Sequence, residues 1–213
     1  MAINVIVYLL EIRHGGSFLG GPSGSVEAHY GAIPHDLDHA HRLATVLSSM
    51  FLHASFLHIF GNMVFLAIFG PTVEDAIGRV RFVVFYLLGG LVALAAQVAV
   101  DPSSTAPTLG ASGAIAAVLG GYILLYPRAR VLALVFIVFL FTLVEIPAVF
   151  LLGFWFAEQL YLGATGLAGT GSGEGVAYFA HVGGFVFGLL SIRLFVRGKR
   201  GSPSAPQPPL PVY

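Results

Sequence analysis

The sequence predicts an all-α membrane protein: a bundle of six transmembrane helices with a long outer loop between the first and the second. Three observations predict it. Of 213 residues, 57% are hydrophobic and 9% charged, with a mean hydropathy of +0.88, the composition of a polytopic membrane protein. The apolar residues gather in runs that approach the roughly 20 residues needed to cross a bilayer. With six spans, all the Lys and Arg residues except Arg13 and Arg42 fall on one side.

The elements follow in order. The first span is residues 2–10, which is short. The second is about 55–69, extending toward Val73, the third is 82–100 and the fourth 112–126. The apolar stretch 131–163 is too long for one span at about 1.5 Å per residue and tight for two. Residues 131–141 are therefore expected to lie on the surface or re-enter, and the fifth span to run over 142–162 with Pro147 near its start. The sixth span is 176–196. Arg79, Arg81, Arg128, Arg130, Arg193, Arg197, Lys199 and Arg200 then share one side, the cytoplasmic side by the positive-inside rule. Seven spans would separate the C-terminal cluster from the others. Residues 11–54 form an outer loop too long for a connector, with apolar patches at 43–47 and 50–52 expected to dip into the outer leaflet. The chain divides into a transmembrane domain, 1–197, and a Pro-rich cytoplasmic tail, 198–213, expected to be disordered.

Composition also excludes. A net charge of +0 gives no general pull toward nucleic acid. The absence of cysteine removes disulfides, thiolate metal sites and cysteine nucleophiles. The N-terminus has no basic region followed by a small-residue cleavage site, so no cleaved signal peptide is expected.

Polar residues inside spans are costly and mark functional sites. Ser112, in Gly110-Ala111-Ser112-Gly113, stands at the mouth of the fourth span. His58 and Asn62 are four apart, hence on one face of the second. His181 lies one to two turns into the sixth. The six-span topology places all four at a similar depth on the outer side. Serine needs a base to become nucleophilic and histidine is the usual one. No carboxylate falls near His181 in its span, and Glu174 precedes it in the loop, so a Ser112–His181 dyad is expected. His58, Asn62 and the Ser112 N–H can donate to a tetrahedral oxyanion. Gly184 and Gly188 form a G-x-x-x-G pair on the face of His181, and Gly113, Ala117, Gly120 and Gly121 give the fourth span a matching small-residue surface, which allows close helix packing in lipid.

Each feature alone has a plainer reading: a serine bonded to its own backbone, a structural histidine, a helix-packing glycine pair. Their combination at one depth is more specific.

The segments from His53 through His58 to Asn62, Gly110 to Gly113, and Ala180-His181 to Gly188 together resemble the rhomboid family of intramembrane serine proteases. The sequences around Val73 to Gly78 and Pro147 to Trp155 are similar to bacterial members. The resemblance covers nearly the whole chain and implies a six-helix rhomboid-like bundle. It implies Ser112 as nucleophile, His181 as general base, His58 and Asn62 as oxyanion-stabilising residues and His53 as a structural loop histidine. The implied reaction is peptide-bond hydrolysis in transmembrane protein substrates, without metal or cofactor, and the lipid bilayer is the other partner. With the basic residues on the cytoplasmic side, a plasma membrane with the site open to the outer side is expected. Three departures stand out. The first span resembles only the later part of a full helix. Ala116 replaces an aromatic that stacks under the histidine in some members, which predicts a less firmly held His181. His41-Arg42 stands where many members have Trp-Arg.

No H-E-x-x-H metalloprotease motif is present. His35-Asp36-Leu37-Asp38-His39-Ala40-His41 offers ligands for a divalent ion, but such a run is more often a solvated loop. No internal repeat suggests a transporter.

Overall fold

A computed structural model describes residues 1–137, 140–167 and 176–196. Glu174, Arg197, Lys199, Arg200 and the Pro-rich tail lie outside the described residues. The elements in chain order are α1 (Ala2–Arg13), α2 (Gly24–Tyr30), α3 (Thr45–Ser48), α4 (Phe56–Ile77), α5 (Arg79–Val100), α6 (Ser112–Leu125), β1 (Arg130–Ile137), β2 (Leu140–Pro147), α7 (Ala148–Leu167) and α8 (Tyr178–Phe195). Short 3-10 turns occupy Pro34–Asp36, Ala40–Arg42 and Ser49–Phe51. The fold is a helical membrane bundle, and α1, α4, α5, α6, α7 and α8 occupy the six predicted apolar segments. Four of them, α4, α5, α7 and α8, are long and apolar enough to cross a membrane; α6 has 14 residues and α1 has 12.

Helix α6 is the centre of the molecule. Its residues from Gly113 to Tyr122 are all buried, as expected of a helix that is apolar all round. Helices α4, α5 and α8 surround it, their outward residues (Leu57, Phe60, Val80, Val83, Leu190, Leu194) left exposed for lipid. At about 1.5 Å per residue, α6 is some 21 Å long, against roughly 30 Å for a hydrocarbon core.

One end of the bundle collects most of the described basic residues; Arg13 and Arg42 are the exceptions. Arg81 at the start of α5 donates to the carbonyl of Phe195 at the end of α8 (3.0 Å). Tyr126, just past α6, donates to the carbonyl of Thr72 near the end of α4 (3.3 Å). The chain reversals at Arg79 and Arg128 share that end, and Ser112, His58 and His181 stand toward the other.

The fifth span needs correction: α7 begins at Ala148, not at residue 142. The segment expected to lie on the surface or re-enter is carried by β1 and the start of β2, with Leu132 and Phe141 exposed. β1 and β2 pair antiparallel, with Arg130 opposite Pro147 and Ile137 opposite Leu140. The base of the pair is closed by the Ala148 N–H donating to the Ala129 carbonyl (2.8 Å) and by an Arg130–Glu145 ion pair (3.6 Å). The run is dense in Val, Leu, Ile and Phe without helical period, and such residues favour strands. Pro147, lacking an N–H, ends the ladder, and α7 starts beside it.

The outer loop also differs. Met50 and Leu52 are buried in protein, and Met50 packs on Gly90 of α5. Leu43 and Leu47 are exposed. Arg42 organises this loop: its guanidinium donates to the carbonyls of Ala28 (2.8 Å) and His29 (3.2 Å) at the end of α2. A positive charge there also complements the helix dipole.

Candidate active site

The site is built on three helix starts. Ser55 caps α4, its Oγ accepting from the His58 N–H (3.2 Å). The cap fixes where the helix begins, so His58 falls in its first turn and Asn62 one turn deeper on the same face. Ser112 is the first residue of α6. The N–H groups of a helix's first turn have no intrahelical acceptor and concentrate positive potential, and Ser112 stands at that start. His181 sits in the first turn of α8. The start of α8 is capped from a neighbour: Gln97 Oε1 on α5 accepts from the N–H groups of Phe179 (3.1 Å) and Ala180 (3.3 Å).

Close backbone packing brings the two halves together. A Cβ placed on Gly184 would overlap the carbonyl oxygen of Gly113, and one on Gly188 would overlap that of Ala117. At this separation Ser112 Oγ and His181 Nε2 are 2.7 Å apart, within hydrogen-bond range. The other imidazole nitrogen, Nδ1, lies 2.7 Å from Oε1 of Gln159 on α7. Trp155, one turn before Gln159, packs against the imidazole with ring centroids 5.7 Å apart. The small Ala116 therefore does not leave His181 loose; α7 supplies both the aromatic contact and a hydrogen bond.

His58 and Asn62 face the same cavity as Ser112 and His181. It has a volume of about 690 Å³ and is also bordered by Gly110 and Trp155. Asn62 is 7% exposed, and its Nδ2 is buried without a protein partner. Gly110 adopts a φ of +119°, and a Cβ there would come within 2.7 Å of His58 Nε2. Both the left-handed backbone and the close approach require glycine. The strand leading to Ser112 is stitched to the outer loop: Ala32 and Thr108 exchange backbone hydrogen bonds (2.8 and 3.3 Å), and the Gly110 N–H donates to Ser49 O (2.9 Å). Irregular backbone at membrane depth is tolerated where it is buried in protein or borders water. A short α6 with a cavity over its start meets both conditions.

His53, in the loop before α4, is fully buried; its Nδ1 lies 3.1 Å from Phe51 O, and its ring packs edge-on against His58 at 5.3 Å. Burial and the neighbouring His58 push its pKa down to about 4, so it stands beside the site as a neutral packing group. In the outer loop, His35 pairs with Asp36 (3.0 Å) and His39 with Asp38 (2.6 Å). Among the described residues no three such groups converge as a metal site would require. The hydrogen bond from His35 holds Asp36 below the usual carboxylate range.

Sequence reasoning missed Gln97, Trp155, Gln159 and the structural part played by Arg42. Gln97 carried a usable signal, as a lone polar residue deep in an apolar span, whereas Gln159 stands beside Glu158 in α7.

The fold and the cavity define a multi-pass helical membrane protein with a hydrogen-bonded serine–histidine pair at the recessed start of its central helix. The chain belongs to the rhomboid family: the Rhomboid domain model matches residues 39–198. It is 31% identical over 153 residues to Rhomboid protein 1, mitochondrial, of Saccharomyces cerevisiae, covering 68% of this chain and 40% of that protein. It is 30% identical over 104 residues to RHOMBOID-like protein 5 of Arabidopsis thaliana (49% and 34% covered). It is 36% identical over 100 residues to Presenilin-associated rhomboid-like protein, mitochondrial, of Rattus norvegicus (46% and 26% covered). The matched part thus spans 40% or less of each of these relatives.

Proposed function

We propose that this protein is an intramembrane serine endopeptidase that cleaves peptide bonds in or near transmembrane segments of other membrane proteins. The observation that carries the reading is the 2.7 Å approach of Ser112 Oγ to His181 Nε2 beside a cavity inside a lipid-facing bundle. Ser112 Oγ attacks the scissile carbonyl carbon while its proton passes to Nε2. The oxyanion accepts from Asn62 Nδ2, a His58 ring N–H and the Ser112 amide. His181 then gives its proton to the departing amine, leaving an acyl-enzyme. Water entering through the cavity loses a proton to His181 and attacks the ester, and Ser112 is restored. Every step uses this chain's own side chains and water. A substrate segment must be extended at the reacting bond, so small, helix-destabilising residues there favour cleavage.

The test uses detergent-purified protein and a transmembrane reporter. The expected result is cleavage by the wild type, insensitive to EDTA, and binding without cleavage by Ser112→Ala. Equal cleavage by both proteins would overturn the assignment. Asn62→Ala should slow cleavage by about 10²–10³-fold without abolishing it, the usual effect of losing one oxyanion donor, measured as kcat on the same reporter.

The basic end of the bundle supports an orientation with the C-terminus in the cytoplasm and the site opening outward, in a plasma membrane. Relatives named as mitochondrial favour an organelle membrane as the second location. Fractionation of the native host, with protease protection of either terminus, decides between them.

A further inference from the structure

We propose that Gln159 is the positioning residue for His181, so that the pair operates as a serine–histidine–glutamine triad with a neutral third member. The inference rests on the protease reading above. A neutral imidazole carries one proton. For the Ser112 hydroxyl to donate to Nε2, that nitrogen must be bare and the proton must sit on Nδ1. A buried N–H without an acceptor is costly, and Gln159 Oε1 stands 2.7 Å from Nδ1. Gln159 is only 6% exposed, so water does not replace it freely.

The direction of the ring is fixed as well as its proton. Trp155 and Gln159 are one turn apart on α7 and meet the same imidazole, one by a tilted ring contact and one by its carbonyl. Leu152, Phe156 and Gly163 continue the same stripe: Leu152 is fully buried, Phe156 stacks on Phe185 at 4.5 Å, and Gly163 meets Phe179 of α8. The amide is therefore held by packing rather than by chance contact. In the usual triad the third member is a carboxylate. A glutamine selects the same tautomer without placing an ionised group at the buried position against the imidazole, where charge is expensive; the neighbouring Glu158 is exposed. The opposite amide orientation would put the proton on Nε2 and leave His181 unable to accept from Ser112.

The test reads the tautomer directly. Full-length protein with ¹⁵N-labelled histidine is compared by NMR with the His181→Ala variant, which assigns the His181 resonances. Wild type should carry the proton on Nδ1. Gln159→Met, of similar size but without an acceptor, should show mixed tautomers and a kcat lower by about tenfold or more at nearly constant KM. Gln159→Glu, which restores an acceptor, should recover the Nδ1 proton and cleave faster than Gln159→Met. If the methionine variant does not fold, Gln159→Asn, which withdraws the carbonyl by one methylene, takes its place. A wild-type proton on Nε2, or an acceptor-free variant with unchanged tautomer and kcat, would overturn the proposal. The two readings fail separately: a reporter cut equally by Ser112→Ala sinks the protease assignment and leaves the tautomer measurement intact.

Discussion

A leucine at Gly188 will prevent the bundle from assembling. A Cβ at that position would overlap the Ala117 carbonyl and lie 2.8 Å from the Ala117 Cα. The obstruction is helix backbone, which cannot turn aside as a side-chain end can. Gly184 meets Gly113, and Gly120 meets the carbonyl of Phe185, in the same way. Helices α6 and α8 therefore touch main chain to main chain along their length. Inserting an isobutyl group forces them apart, loses dispersion contacts that lipid does not replace, and separates Ser112 from His181. The expected loss exceeds about 4 kcal/mol, beyond the range of ordinary substitutions. The measurement is the yield of monodisperse protein in detergent and its thermal unfolding. Gly153→Leu is the control, since nothing lies within 4 Å of a Cβ there. A Gly188→Leu protein as stable as the Gly153→Leu protein would refute the packing argument.

His181→Ala will cut turnover by about 10⁴-fold or more, and combining it with Ser112→Ala will cost little beyond either change alone. Groups that act as one unit are strongly non-additive. Without the imidazole, the Ser112 hydroxyl has no proton acceptor at 2.7 Å, and the departing amine has no acid. Substrate should still bind, because the cavity walls from α4 and α6 are unchanged, so KM should move far less than kcat. Single-turnover cleavage of the reporter measures both. A residual rate within tenfold of wild type would show that some other group serves as base. A double variant much slower than either single would show that the two residues do not act together.

The sequence disclosed what depends on composition and on residues with few alternative uses. Apolar runs of near-spanning length located all the long helices, because a lipid-facing element leaves little choice of residue. Ser112, His58, Asn62 and His181 were legible as polar residues at or inside apolar runs, and the structure gathers all four around one cavity. The β1–β2 pair was not legible. Its stretch from Val131 to Phe141 is continuously apolar, showing neither period 2 nor period 3.6, and helix and strand cannot then be told apart. Gln159 stood in plain sight in α7, yet nothing in the chain says which neighbour a lone amide will face; its partner lies 22 residues away. The grip on His181 was misjudged for the same reason. Ala116 was visible as a missing aromatic on α6, whereas the replacement, Trp155, comes from a different helix. Arg42 was noticed only as part of a weak loop motif, because a guanidinium bonded to two carbonyls leaves no sequence pattern.

The first ten residues after Ser112 in α6 have no side facing lipid. From Gly113 to Tyr122 every residue is enclosed by other helices, whereas α4, α5 and α8 each keep an outward face. Lipid-facing positions are where a membrane protein's sequence can drift, since one aliphatic residue serves there as well as another. This segment has none. Over long divergence it should therefore accept change only in step with its neighbours, an enlargement on α6 matched by a reduction on α8. A saturation mutagenesis map should show it as a continuous band of intolerance, while the surrounding helices show stripes.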